Sequence, residues 1–244
     1  MSPDKAGVFK KDNLDLYLKE LAKEYKKLAG KTIPAEIILI GGAAIVENYG
    51  FRDMTTDVDA VITAASAMKD AINRVGDRFD LPNGWLNADF QKTDSYSDKL
   101  FQHSVFYRTF NQVLNVRFVT GEYLVAMKLK AFRQYKNDLS DIIGILAEHE
   151  SRGDCICAER IDIAVTELYG SWNDFPDGTR DFITKTLAAG NYKKIYDLVK
   201  KNERDAKELL IDFQADYPGV LKSENTDDVL RSLRARQKID DQKR

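Results

Sequence analysis

Apolar and polar positions along the chain change period twice. Residues 12–28 carry Leu14, Leu18, Leu21, Tyr25 and Leu28 at helical spacing, with a lysine-rich opposite face. Gly30 and Pro34 close that helix, and residues 36–40 then read as a buried strand of consecutive aliphatics. Gly41-Gly42 follows at once, with a short helix predicted over 43–49. A second strand is predicted over 58–63, a helix over 64–79, and a polar, turn-rich stretch over 81–99. Strands over 104–110 and 114–120 are joined by Asn111-Gln112. From Gly121 onward the period becomes 3.6, with helices predicted over 122–135, 139–148, 158–169, 179–188, 192–213 and 227–237. Strands confined to the first half and helices to the second predict an α+β fold: a short mixed sheet with flanking helices, then a helical C-terminal region. The boundary falls near Ser151-Arg152-Gly153-Asp154, dividing the chain into 1–150 and 151–244.

Composition narrows the partners. The chain has 244 residues, 37 basic against 39 acidic, for a formal net charge of −2, so no overall basic field steers it to nucleic acid or membrane. The apolar run from Ile37 to Val46 is far short of the roughly 20 residues that span a bilayer. The charged start lacks the apolar centre of a signal peptide. Cys155 and Cys157 are the only cysteines, and His103 and His149 the only histidines, which excludes a disulfide framework and disfavours a zinc cluster. A reducing, cytoplasmic setting is expected.

Candidate chemistry is concentrated between Ile37 and Ile62. Side chains alternate along a strand, so Asp57 and Asp59 share a face roughly 6.5–7 Å apart. Two carboxylates on one face of an apolar strand are expensive unless a cation neutralises them, and Mg²⁺ or Mn²⁺ shared with substrate phosphates suits the pair. Gly41-Gly42 exposes backbone N–H groups at a helix start, where phosphate oxygens bind. Taken singly, a Gly-Gly turn is common and an Asp-x-Asp can merely face solvent.

Together, Ile40-Gly41-Gly42 and Asp57-Val58-Asp59 resemble the signature of the nucleotidyltransferase superfamily, the fold of DNA polymerase β. RDMTTDVDAVI (52–62), LPNGWLNADF (81–90) and VRFVTGEYLVAMKLKAFRQYKNDLSDI (116–142) extend the likeness to a bacterial nucleotidyltransferase-like family related to AbiEii-type toxins. The resemblance covers roughly residues 35–146. It implies an NTP substrate, a divalent metal on Asp57 and Asp59, and an RNA (tRNA) or protein acceptor. It also raises a toxin role with a cognate antitoxin. Many polymerase-β-like enzymes carry a third acid on a later strand, whereas 114–120 offers Asn115 and Arg117. The AbiEii-like pattern implies instead a downstream Lys and Asp, matched by Lys128 and by Asp138 or Asp141.

At 100° per residue, Leu124, Val125, Ala131, Phe132 and Tyr135 surround Lys128 on the wheel, whereas Lys130 lies almost opposite and is expected to be solvated. A lysine centred on an apolar stripe must snorkel or find a negative partner, such as a metal-bound nucleotide or Asp57 and Asp59. Asn137 and Asp138 alternatively cap a new helix with Asp141 in its first turn. Asp138 can share a site with Lys128 only if the helix breaks near 135–137. Arg52 and Arg117 are either triphosphate clamps or ordinary ion-pair partners. Trp85 and Asn87 either bind a base or, for Trp85, fill the core. Basic residues at Lys193-Lys194, Lys200-Lys201 and Arg231, Arg234, Arg236 and Lys238 are either an RNA or antitoxin contact or a solvated face. The reading is a Mg²⁺-dependent nucleotidyltransferase. Its alternative is a degenerate domain that binds nucleotide or protein without turnover.

Overall fold

The computed structural model describes residues 7–222 and 224–242, with side chains up to residue 237. Lys238 of the basic C-terminal stripe therefore lies outside the described side chains. Helix α1 (Lys11–Ala29) buries the stripe of Leu14, Leu18, Leu21 and Tyr25. Strand β1 (Ala35–Leu39) leads into α2 (Gly41–Asn48), β2 (Val58–Thr63) and α3 (Ala67–Phe79). A two-residue strand β3 (Leu86–Asn87) lies inside the stretch read as polar and turn-rich. Strands β4 (Ser104–Phe110) and β5 (Leu114–Val119) follow.

These strands form one five-stranded mixed sheet in the order β3-β2-β1-β5-β4. The central β1 is antiparallel to β2 and parallel to β5, and four of its five residues are buried. β3 and β4 stand at opposite edges, so residues 88–103 must cross the sheet to join them. That crossing is tied down by Ser97 donating to the Leu168 carbonyl at 3.1 Å and Tyr169 donating to the Ser95 carbonyl at 2.7 Å.

The remaining helices are α4 (Gly121–Ala131), α5 (Asp138–Ser151), α6 (Ala158–Tyr169), α7 (Thr179–Ala189), α8 (Tyr192–Asp216) and α9 (Thr226–Gln242). The fold is thus α+β with flanking helices and a helical C-terminal region, as the periodicity implied. One apolar core runs from Phe9 in the first turns to Ile183 in α7, continuing across residue 150. A small second core joins Ala206 and Leu210 of α8 to Leu230 of α9, with Tyr135 packed against it.

Two of the boundaries that differ from the sequence reading shape the site. α2 begins at Gly41 rather than Ala43, so the Gly-Gly pair is the helix's own first turn. α4 stops at Ala131, four residues early, because Phe132 adopts a left-handed conformation (φ 44°) and turns the chain back. Among the described residues no helix is long and apolar enough to cross a membrane.

Candidate functional site

The Gly-Gly turn and the Asp-x-Asp strand are locked together through the backbone. Ile40 N–H donates to the Asp59 carbonyl at 3.1 Å, directly before α2 begins. Gly41 has φ +55°, and a Cβ on it would stand 3.7 Å from Asp59 Oδ2. A Cβ on Gly42 would collide with Thr55 Oγ1 and lie 2.9 Å from Arg52 Nη2. Only glycine admits that close packing. The first-turn amides of a helix have no intrahelical acceptor, and no side chain caps α2 in their place.

Asp57 is exposed at the strand entrance, where Thr55 Oγ1 donates to its Oδ1 at 3.0 Å. Asp59 is half-buried, and burial raises its carboxyl pKa, with the charge of Asp57 adding to the effect. A hydrogen bond from Asn87 and the positive charges of Lys128 and Arg133 pull the other way. Asn87 reaches Asp59 because β3 pairs with β2 in parallel, placing the two residues side by side.

Behind this pair stands a charged cluster built by the reversal at Phe132. Lys128 Nζ lies 2.8 Å from Asp138 Oδ1 and 2.9 Å from Asp141 Oδ2. Its side chain is 12% exposed and the two carboxylates 0% and 2%. Burial alone would lower the lysine pKa, but Asp138 and then Asp141 hold it above the ordinary value. Burial pushes the Asp138 pKa up, yet Lys128 and Arg133 outweigh it and bring it down to about 2. Arg133 clasps Asp138 with Nε at 2.8 Å and Nη2 at 3.1 Å, while its backbone N–H donates at 3.2 Å. Arg52 Nη1 reaches Asp141 Oδ2 at 2.6 Å. Its position depends on Phe51, whose ring occupies space that a Cβ at Gly144 of α5 would fill.

Gly41, Gly42, Arg52, Asp57, Asp59, Asn87, Lys128, Asp138 and Asp141 are therefore brought together. Several expectations are corrected. Lys128 is partnered by Asp138 and Asp141 rather than by Asp57 and Asp59, and the break that allows it takes in the expected 135–137 but opens earlier, at Phe132. Asn137 supplies no side-chain cap to α5. Lys130 is not simply solvated, since it donates to the Asp174 carbonyl and lies 5.1 Å from the Phe175 ring centre.

Trp85 is core: it is 2% exposed, donates to the Ile72 carbonyl at 3.0 Å and stacks on Phe9. It has no face to offer a base. Arg117 shares the Asp59 face of the sheet but is level with Val61 and two strands away. There it is spent on Ser104 Oγ at 2.8 Å, the Ser104 carbonyl at 2.6 Å and the Phe101 ring. Arg133 and Thr55 were not singled out in the sequence. Arg133 follows the end of α4 by two residues, where a cation in a short interhelical turn was the available signal.

Among the described residues, no group of three or more His, Cys, Asp or Glu is arranged to hold a metal. The fit to a metal rests on Asp57 and Asp59 alone. Two neighbouring carboxylates, one already driven toward its neutral form by burial and by the other, are relieved by a divalent cation. Mg²⁺ commonly takes one or two protein carboxylates and completes its shell with phosphate oxygens and water, so the pair fits it.

A family model described as a nucleotidyltransferase of unknown function (DUF6036) matches residues 17–148, more than half of the chain. The match begins within α1 and ends within α5, taking in the sheet and every residue of the cluster above. No curated protein and no solved structure matches the chain significantly.

Proposed function

The chain belongs to this DUF6036 family of nucleotidyltransferases of unknown function, and on that premise we propose that it transfers a nucleotidyl group from a Mg²⁺-bound NTP to a hydroxyl of an RNA or protein acceptor. The observation that carries the proposal is the backbone bond that holds Asp59 against the Gly41-Gly42 helix start. It sets the amides of a helix start beside two carboxylates, an arrangement that suits phosphate oxygens and a divalent cation. Asp57 and Asp59 would hold Mg²⁺. When bound, the metal supplies charge neutralisation along the triphosphate and lowers the barrier to displacement at the α-phosphorus. The amides of α2 orient the phosphates, and Thr55 fixes the rotamer of Asp57.

Lys128 acts in this scheme as a fixed positive charge behind Asp59, because Asp138 and Asp141 engage its ammonium and hold it in place. Arg133 keeps Nε and Nη2 on Asp138, and with 41% of its side chain exposed it adds a partly exposed positive charge that phosphate oxygens would meet. Asp138 and Asp141 are buried and ion-paired, so their work is to hold these cations rather than to activate the acceptor. The likeness to AbiEii-type toxins motivates the choice of acceptor and a toxin role opposed by an antitoxin.

Calorimetry tests the nucleotide site directly. Each NTP is titrated with and without Mg²⁺ into the wild type and into Asp57→Asn/Asp59→Asn, with melting temperatures recorded alongside. Binding that requires both Mg²⁺ and the two carboxylates supports the proposal. Equal affinities in all four titrations would overturn it.

A further inference from the structure

One carboxylate of the helical C-terminal region reaches the first turn of α5. Glu203, midway along α8, is 4% exposed. Its Oε1 accepts N–H bonds from Leu139 at 2.9 Å and Ser140 at 3.0 Å, both in the first turn of α5. Its Oε2 is buried and, among the described residues, has no hydrogen-bond partner. Since Asn137 leaves α5 uncapped, these amides depend on an acceptor more than sixty residues downstream. A carboxylate is a costly way to satisfy two buried amides when one of its own oxygens stays unpaired.

The turn that Glu203 holds is the turn that carries Asp138 and Asp141. From it a continuous series of bonds leads to the carboxylate pair. Asp138 holds Lys128 and Arg133, and Asp141 holds Lys128 and Arg52. Arg52 Nη2 reaches Thr55 Oγ1 at 3.4 Å, and Thr55 donates to Asp57. α8 also touches the segment before Arg52, where Tyr196 donates to the Phe51 carbonyl at 3.3 Å.

We propose that Glu203 is a positioning residue, which sets the first turn of α5 and thereby the cations Lys128, Arg133 and Arg52 that surround Asp57 and Asp59. The helical C-terminal region is then part of the nucleotide site rather than an appendage to it. The last link, to the nucleotide, rests on the function proposed above; the links within the protein do not.

The test uses the full chain and the variants Glu203→Gln, Glu203→Ala, Glu203→Asp and Leu210→Ala. Leu210→Ala removes a buried contact of the same helix two turns on and controls for loss of stability. Two quantities are read well below each melting temperature. The first is the ¹H–¹⁵N resonance of the Lys128 ammonium, visible only while its carboxylate clamp slows exchange. The second is the Kd for Mg·ATP and the other Mg·NTPs. Glu203→Gln, which keeps a carbonyl acceptor, should preserve the resonance and an affinity near wild type. Glu203→Ala and Glu203→Asp, which remove or withdraw the acceptor, should lose the resonance and weaken binding on the order of 10–100-fold. Leu210→Ala should melt earlier and keep both.

The proposal is overturned if Glu203→Ala and Glu203→Asp retain the Lys128 resonance, or if Leu210→Ala loses it equally. If the wild type binds no nucleotide but the resonance follows this pattern, the positioning role stands and the nucleotide reading fails.

Discussion

Replacing Lys128 by Met removes the shared cation of two carboxylates that are 0% and 2% exposed. Hydrogen bonds to charged groups contribute roughly 1.5–3 kcal/mol each, and breaking a buried pair costs about 3–5 kcal/mol. Asp138 keeps two guanidinium bonds and a backbone N–H from Arg133, and Asp141 keeps Arg52. Those residual partners place the loss at the lower end, about 3 kcal/mol. For a chain of this size that lowers Tm by roughly 6–12 °C. Lys130→Met, which gives up one carbonyl and a cation–π contact, should cost about 1 kcal/mol. The pH dependence has a definite sign. Asp138 is held at about 2, below its ordinary 3.8, so its stabilisation is complete above the ordinary value and is lost as pH falls toward about 2. The gap between wild type and Lys128→Met should be constant above roughly pH 5 and close below roughly pH 4. Thermal and urea unfolding across pH 3–8 measures it. A variant that melts at or above wild type at pH 7, or a gap unchanged at pH 3, would refute the clamp.

Glu47 tests the opposite sign. Both of its oxygens are buried without a partner among the described residues, and burial, with Asp15 and Asp12 adding and Lys11 and Arg108 opposing, raises its pKa to about 7. A raised acid favours folding below its unfolded value and loses that advantage as pH rises through its folded value. Glu47→Gln should therefore gain stability relative to wild type between about pH 4.5 and 7 and plateau above, whereas parallel melting curves would contradict the assignment. Gly42→Ala should weaken Mg·NTP binding and lower Tm, because its Cβ collides with Thr55 beside the site; calorimetry unchanged from wild type would show the turn is not used. Trp85→Phe should lower Tm through loss of core contact and the bond to Ile72 while leaving nucleotide affinity per folded molecule unchanged, and a selective loss of affinity would return Trp85 to the site.

What the chain discloses locally is what its local physics determines. The aliphatic run of β1 requires burial, Gly41-Gly42 requires close approach, and the alternation of β2 puts Asp57 and Asp59 on one face, so their conjunction is readable from spacing. A charge centred on an apolar stripe announces that Lys128 needs a partner, but not which one. The partner depends on Phe132, a bulky residue in the left-handed region that glycine usually occupies, so no breaker marks the turn. Arg117 lies on the expected face, yet sheet order alone decides that β1 stands between it and Asp59. Trp85 offered a base-stacking surface only until Leu86 paired with Val58 and drew the indole into the core. Glu203 is one acid among many in a long amphipathic helix, and its role exists only because α8 packs along α5.

The central claim concerns which phosphorus is attacked. The wild-type protein, Mg²⁺ and cell lysate are incubated with each NTP carrying its label either on the α- or on the γ-phosphate, beside Asp57→Asn/Asp59→Asn. Nucleotidyl transfer requires the α-label to enter an RNA or protein, the γ-label to leave as pyrophosphate, and the variant to do neither. Transfer of the γ-label, or no transfer of either label by a protein that binds the same Mg·NTP, would contradict it.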